Sequence, residues 1–263
     1  EHVKQTFRYG IISAYLIVAP FIVLGYMFPN QILGFFTNDL EVIRMGSDYL
    51  KVAILTYIPM ALSMTIGNAM RSLGETKVPL YSSIVAILTN AFFNYVFIFG
   101  HFGSPAFGVV GAAYGTIIAR LVEVVIFLVV TKRLDFMFKT AVKDLFKISK
   151  KLVKAMTIKA VPLTINEIFW SSGMSILFMF YSTRGKEVMA GMSISGSVSD
   201  LFFTLFGGMA VATTVVVSQE LGANRLKEAR ENAYKMIRFS IMLAVALGVL
   251  MFASSYIAPN FYN

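Results

Sequence analysis

Cysteine is absent from this sequence, and histidine and tryptophan are scarce. The 263 residues include two histidines, His2 and His101, and a single tryptophan. Without cysteine there is no disulfide framework, no thiolate nucleophile and no cysteine metal site, and two histidines are too few for a histidine-rich one. Zinc sites and catalysis by a cysteine–histidine pair are therefore excluded.

Charge is scarce as well. Charged residues make up 14% of the sequence and hydrophobic residues 57%, a balance typical of integral membrane proteins. The formal net charge of +9 alone would suggest a nucleic-acid ligand, but the cations are concentrated between long apolar runs. That distribution favours a role in setting membrane topology over nucleic-acid binding.

The longest uncharged run lies between Lys77 and Arg120. Its length predicts two membrane-spanning helices within 78–121. Asn90 and Asn94 are four residues apart in the first helix and so share one helical face. Three glycines in the second have the spacing of a close helix contact: Gly108, Gly111 and Gly115. We expect these amides and glycines to face protein rather than lipid.

Other apolar runs predict five further spans, which makes seven in all. They lie at 9–28, 52–70, 160–181, 189–217 and 239–256, each long enough, or nearly so, to cross the hydrocarbon as a helix. The fold class is therefore an all-α polytopic membrane protein, and we expect it in the cell membrane.

A basic segment from Lys132 to Lys159 separates the fourth and fifth spans. It carries nine cations and two acids, Asp135 and Asp144. Six apolar residues recur in it at near-helical spacing: Val142, Leu145, Phe146, Ile148, Leu152 and Val153. This pattern predicts an amphipathic helix on the membrane surface, with the lysines of 139–154 toward anionic lipid headgroups. A specific acidic partner is the alternative.

The cations also predict orientation. Loops rich in lysine and arginine alternate along the chain: before the first span, between the second and third, in the basic segment, and between the sixth and seventh. Such loops face the cytoplasm. The N-terminus is predicted inside and the C-terminus of this sequence outside.

A weak internal repeat relates the first and last spans. At an offset of 225 residues, 1–38 align with 226–263 without a gap and share six identities, including Tyr9 with Tyr234. Equivalent spans six helices apart suggest two six-helix halves. The predicted domains are 1–132 as the remainder of a first lobe with four spans, 133–158 as a cytoplasmic basic amphipathic linker, and 159–263 as the start of a second lobe with three. Because the sequence begins with Glu1, we expect it to be part of a longer protein.

Several strings resemble one transporter family. RSLGETKVPLY at 71–81, LTNAFFNYVFIFG at 88–100 and the glycine-rich run at 103–113 resemble the fourth to sixth helices of multidrug and toxin extrusion (MATE) transporters. VPLTINEIFWSSG at 161–173 resembles the start of their second lobe, and SQELGAN at 218–224 resembles a loop of the same family. The resemblance covers essentially the whole chain, as about helices three to nine of twelve.

The resemblance implies a secondary antiporter rather than an enzyme. Such a protein exports organic, often cationic, compounds in exchange for sodium ions or protons, by alternating access between two lobes, and needs no cofactor besides the coupling ion. In many members the fifth helix carries Asn and, four residues on, an Asp that takes part in coupling. Here the two positions are Asn90 and Asn94. An amide cannot titrate, although its carbonyl can coordinate sodium.

Four charged residues fall within the predicted spans. Arg120 and Glu123 are three apart on one helix, and a local ion pair is the simpler interpretation. Glu167 and Asp200 have no neighbour of opposite charge in their spans. Because unpaired charges in a bilayer usually face a cavity or a partner, both are candidates for binding substrate, proton or sodium, with a structural hydrogen-bonding role as the alternative. Trp170 is a candidate for an aromatic cation site, against simple packing.

Three other functions fit the sequence less well. A seven-helix receptor or opsin would have its N-terminus outside and, in an opsin, a lysine in the last span, and neither fits. An intramembrane enzyme would need a paired-Asp motif, a cysteine or a histidine within a span, and the predicted spans contain none of these. A lipid-linked oligosaccharide flippase of related fold differs mainly in having a more cationic cavity, whereas the unpaired intramembrane charges here are acidic.

Overall fold

The computed structural model of the protein describes residues 1–133 and 142–257, and every regular element within them is helical. Predictions that concern 134–141, including Lys139, or 258–263, the end of the repeat, lie outside the described residues. The chain divides into two compact units, Glu1–Met179 and Phe180–Asn263, and each is described by itself.

The first unit contains most of the helices. They are α1 (His2–Met27), α2 (Pro29–Gly34), α3 (Leu40–Ala53), α4 (Tyr57–Ser72), α5 (Lys77–Phe99), α6 (Val109–Arg133) and nearly all of α7 (Lys150–Ser182), with 3-10 turns at Ile54–Thr56 and Val142–Asp144. The second unit contains α8 (Lys186–Gly222) and α9 (Leu226–Ile257).

The described residues contain seven helices long and apolar enough to cross a membrane, as predicted. Several begin earlier than the uncharged runs. The second span extends over Leu40–Ser72 rather than 52–70, because the Asp39 side chain caps α3 by accepting from the amides of Glu41 at 3.0 Å and Val42 at 3.4 Å. A cap of this kind stabilises helix in a charged sequence that hydropathy alone leaves outside the span.

The core of the first unit lies where α4 and α6 meet. Ile66 and Met70 of α4 and Phe127 of α6 are buried together, at 2%, 0% and 2% exposure. Partly buried side chains of α1 and α5 surround them, among them Phe7 and Val78. This cluster holds α4 and α6 in contact and thereby fixes the helix pair α5–α6, which carries the polar residues described below.

The predicted amphipathic helix in the basic segment is wrong for the described residues 142–149. Val142–Asp144 forms a 3-10 turn and α7 begins at Lys150, so part of the predicted linker belongs to the fifth span. The backbone between them is engaged by α1: Arg8 donates to the Lys147 carbonyl at 2.9 Å, and the Ser149 amide donates to Gln5 Oε1 at 3.0 Å. In a continuous helix, the Lys147 carbonyl and the Ser149 amide would both be needed for hydrogen bonds within the helix.

The second unit is a helix hairpin. α8 and α9 pack against each other through small or flexible side chains, with Ala229 at 2%, Leu247 at 5% and Met209 at 9% exposure. The turn between them places Asn224 at φ 60°, in the left-handed region. Arg225 closes it through an ion pair with Glu220 at 2.8 Å. The SQELGAN string is therefore the end of α8 and the connecting turn.

Candidate functional site

Asn90 and Asn94 face α6, as predicted. Asn94 Nδ2 donates to Asn90 Oδ1 at 3.1 Å, and Asn90 Nδ2 donates across the helix pair to Thr116 Oγ1 at 3.1 Å. The Thr116 hydroxyl in turn donates to the Ala112 carbonyl at 2.9 Å. Asn94 Oδ1 is buried and makes no hydrogen bond, so one acceptor in this series of hydrogen bonds has no donor. An amide oxygen in that position is the type of ligand that a hard cation accepts.

Two of the three predicted contact glycines allow α5 and α6 to approach closely. A Cβ at Gly111 would lie 2.5 Å from the Phe97 carbonyl oxygen, and one at Gly115 would collide with Asn94 Oδ1. Gly108 is different, since a Cβ there meets nothing within 4 Å. Its φ of 55° shows that it serves the turn before α6 rather than the helix contact.

An ion pair with a buried carboxylate lies on the same helix pair. Arg120 and Glu123 form the predicted local pair, with Arg120 NH1 2.9 Å from Glu123 Oε2. Glu123 is only 4% exposed, and its other oxygen accepts from the Ser83 hydroxyl of α5 at 3.3 Å. Burial of the carboxylate is therefore compensated by a cation and a hydroxyl. The sequence does not single out Ser83, because a serine in an apolar helix gives no signal of its partner.

Ser83, Asn90, Thr116 and Arg120 line one groove, and together with Asn94 and Glu123 they form what we call the α5–α6 polar cluster. The groove has a volume of about 390 Å³, and its polar lining comes from Ser83, Asn90, Thr116 and Arg120. Its charges cancel within the Arg120–Glu123 pair, and its remaining polar groups are amides and hydroxyls. It can therefore orient a ligand or coordinate a cation through oxygen. Its two asparagines cannot exchange a proton.

The other sequence candidates do not join this cluster. Glu167 and Trp170 lie one turn apart on α7 and are both exposed, Trp170 at 67%. Asp200 is exposed on α8, in the second unit. Among the described residues, the carboxylates of Glu167 and Asp200 have no recorded hydrogen bond or ion pair, and no group of three or more His, Cys, Asp and Glu residues could hold a metal ion. Both acids therefore remain candidates through their position alone.

Comparison with known proteins identifies the family. The MatE family model matches residues 1–96 and 162–262. The chain belongs to the MatE family. Its relatives include the probable multidrug resistance proteins NorM of Halalkalibacterium halodurans, with 27% identity over 96% of this chain and 55% of the relative, and of Bacillus subtilis, with 26% identity over 94% and 55%. The chain thus spans little more than half the length of these relatives.

A solved structure shares the fold. The chain is similar to a protein described as "Crystal structure of MATE in complex with Br-NRF", with a TM-score of 0.67, 17% identity, and coverage of 95% of this chain and 61% of the other. Membership of the MatE family, together with seven candidate spanning helices among the described residues, makes the chain part of a multi-pass membrane protein, and the members of that family are transporters rather than enzymes. Membership of this family also excludes the alternative of a seven-helix receptor.

Within the MatE chain, the family matches and the polar cluster overlap in part. Asn90 and Asn94 lie inside the first matched segment, while α6 and the basic segment lie between the two. Glu167, Trp170 and Asp200 lie inside the second. Every sequence candidate for substrate or cation binding therefore belongs to a segment that the family model covers.

Proposed function

We propose that this chain is part of a secondary antiporter that exports organic, mainly cationic, compounds in exchange for sodium ions or protons. Transport would occur by alternating access between two six-helix lobes in the cell membrane. The observation that carries the proposal is the family match in two segments, 1–96 and 162–262. These segments fall within the proposed first lobe, 1–132, and second lobe, 159–263, on either side of the proposed linker 133–158, whose last residues belong to α7.

The proposed coupling residues are Glu167 and Asp200. Each lies in a helix with enough hydropathy to span a membrane, and neither has a recorded partner among the described residues. A carboxylate in hydrocarbon costs several kcal/mol unless its charge is neutralised. A proton, a sodium ion or a cationic substrate would each neutralise it. We propose that at least one of the two acids binds the coupling cation or the substrate, with Trp170 one turn from Glu167 as an aromatic wall.

Asn90 and Asn94 have a secondary role in this proposal. Their hydrogen bonds to each other and to Thr116 position the free Asn94 Oδ1 between α5 and α6. That oxygen would contribute to orienting substrate or sodium, without titrating. Because the acids rather than the amides carry charge, we expect smaller effects on substitution of the amides. The acidic character of the unpaired charges also favours cationic cargo over the lipid-linked oligosaccharide of a flippase.

The experiment is substitution of the two acids in the full-length transporter. Glu167→Gln and Asp200→Asn should each lower ion-driven efflux of a cationic dye at matched expression, and at least one should change its dependence on sodium or pH. Glu231→Gln is the matched control, since Glu231 is an exposed acid near the start of α9. If both variants keep the wild-type rate and ion dependence, the acids are structural and the assignment of coupling to them is wrong.

A further inference from the structure

A crevice between α1 and α7, within the first unit, contains none of the residues to which the proposed function assigns substrate or ion binding. Its volume is about 740 Å³. Apolar side chains form most of its walls, among them Ile12, Leu16 and Ile17 on α1 and Val161 and Ile165 on α7. Leu16 is 73% exposed and Ile165 46% exposed. Both side chains therefore keep apolar surface that the described residues do not cover. We call this the α1–α7 crevice.

One end of the crevice is defined by hydrogen bonds. Tyr9 of α1 and Thr157 of α7 are joined by their hydroxyls at 2.9 Å. Beyond them, Arg8 is only 6% exposed and donates to the carbonyl of Lys147 at 2.9 Å. This contact fixes the segment 147–149 against α1, and Phe146, which is 84% exposed, lines the crevice at this end.

The same end is strongly basic. Lys150, Lys151 and Lys154 occupy the first turns of α7 and are exposed, without a recorded ion pair among the described residues. Lys150 is three residues before Val153, and Lys154 is three before Thr157 and seven before Val161, so both lysines lie on or beside the helical face that lines the crevice. Lys147 is different, because its ammonium is paired with Asp144 at 2.7 Å. The net charge of this end is therefore positive.

An apolar slot that ends at uncompensated lysines matches the chemistry of one ligand class. We propose that the α1–α7 crevice binds a single anionic phospholipid, with an acyl chain against Leu16, Val161 and Ile165 and the phosphate at Lys150 and Lys154. Charge complementarity selects an anionic headgroup over a zwitterionic one. The apolar walls of the crevice remove the acyl chain of the lipid from water, as a hydrocarbon core would. This is a discrete site, in contrast to general attraction between lysines and a charged surface.

The test is lipid retention, measured by native mass spectrometry on the membrane-extracted full-length protein. The probes are phosphatidylglycerol and phosphatidylcholine with identical acyl chains. We expect phosphatidylglycerol to be retained preferentially, and K150Q/K154Q to weaken its binding about 25-fold, at about fivefold for each lysine. K227Q/K235Q, which removes two cations from α9, is the matched control and should leave retention unchanged.

A second variant tests the slot itself. Ala160 lines the crevice, and Ala160→Phe should fill it and lower phosphatidylglycerol retention while every lysine stays in place. Circular dichroism and gel filtration check that the variant is folded. Three results would overturn the proposal: equal retention of the two lipids by the wild type, loss of retention in the α9 control equal to that in K150Q/K154Q, or full retention by Ala160→Phe. A change of oligomeric state in Ala160→Phe without a change in lipid binding would assign the crevice to a second copy of the protein instead.

Discussion

Gly111 stands where α6 passes closest to the end of α5. A Cβ added there would lie 2.5 Å from the Phe97 carbonyl oxygen and 2.9 Å from the Ile98 nitrogen. Both are backbone atoms of a helix, so neither can move aside as a flexible side chain would. Relief requires the two helices to separate, and this would also stretch the Asn90–Thr116 hydrogen bond that crosses the same interface.

We therefore expect Gly111→Ala to destabilise the protein by about 1–3 kcal/mol, the usual cost of overpacking. The measurement is the midpoint of thermal unfolding in detergent. Gly248→Ala is the control: it places the same methyl group in α9, where a Cβ meets nothing within 4 Å, and should be neutral or slightly stabilising because alanine favours helix. Equal midpoints for the two variants would contradict the close contact at Gly111.

The α5–α6 polar cluster could be predicted only in part from the sequence. The pattern predicts that Asn90 and Asn94 act together, because two amides four apart in an uncharged run share a face. It also predicts the Arg120–Glu123 pair, because opposite charges three residues apart can pair. Thr116 and Ser83 were not found. Their hydroxyls reach partners on another helix at 3.1 and 3.3 Å, and such contacts depend on helix rotation, which a uniformly apolar sequence does not specify.

At the scale of elements, the segment before α7 shows how a local pattern can mislead. Its apolar residues recur at helical spacing, yet Gln5 and Arg8 of α1 hydrogen-bond to the backbone at Ser149 and Lys147. The segment is steadied within itself by the Asp144–Lys147 pair, whose hydrogen bond lowers the pKa of the Asp144 carboxyl. That contribution is present above the unfolded pKa and is lost as the pH falls through the folded one.

Arg8→Ala should release this segment from α1. The guanidinium is buried and donates to a carbonyl, and a hydrogen bond from a charged group contributes about 1.5–3 kcal/mol. Amide hydrogen exchange in residues 142–153 should accelerate by about tenfold or more, since local opening sets the exchange rate. Lys4→Ala, one turn earlier on α1, is the control and should have little effect. Unchanged exchange in Arg8→Ala would show that other contacts hold the segment.

At the scale of the whole molecule, the number of spans could be predicted because each needs a run of about 20 apolar residues. The bounds of the helices could not be predicted where a helix continues into its charged flanks. α9 begins at Leu226, within a charged sequence, although its uncharged run starts only at Phe239. Which residues are buried is harder still to predict from the sequence. The most apolar stretches of α7 and α8 contain no buried residue. A helix that is apolar on every face gives no signal of which face meets lipid and which meets protein.

Orientation follows from a whole-chain property, the alternation of cations between loops. Most lysines and arginines lie in the basic segment, in and around the α4–α5 and α8–α9 connections and in the helix turns that flank them, whereas the α5–α6 turn carries none. Lysine and arginine are retained on the cytoplasmic side during insertion, so this asymmetry predicts which loops lie inside. The proposed phosphate site at Lys150 and Lys154 depends on the same orientation, because anionic lipid is enriched on the cytoplasmic leaflet.

The absence of cysteine makes this prediction simple to test, since a single introduced cysteine has no background within this sequence. Lys143→Cys and Lys227→Cys should react with a membrane-impermeant maleimide only after the membrane is opened. Ser104→Cys and Arg184→Cys should react in intact cells. The two pairs control for each other, because Ser104, Lys143 and Arg184 lie in connections between spanning helices and Lys227 lies in the first turn of α9, next to such a connection. Labelling of Lys143→Cys in intact cells would reverse the orientation and place the basic end of the α1–α7 crevice on the outer surface.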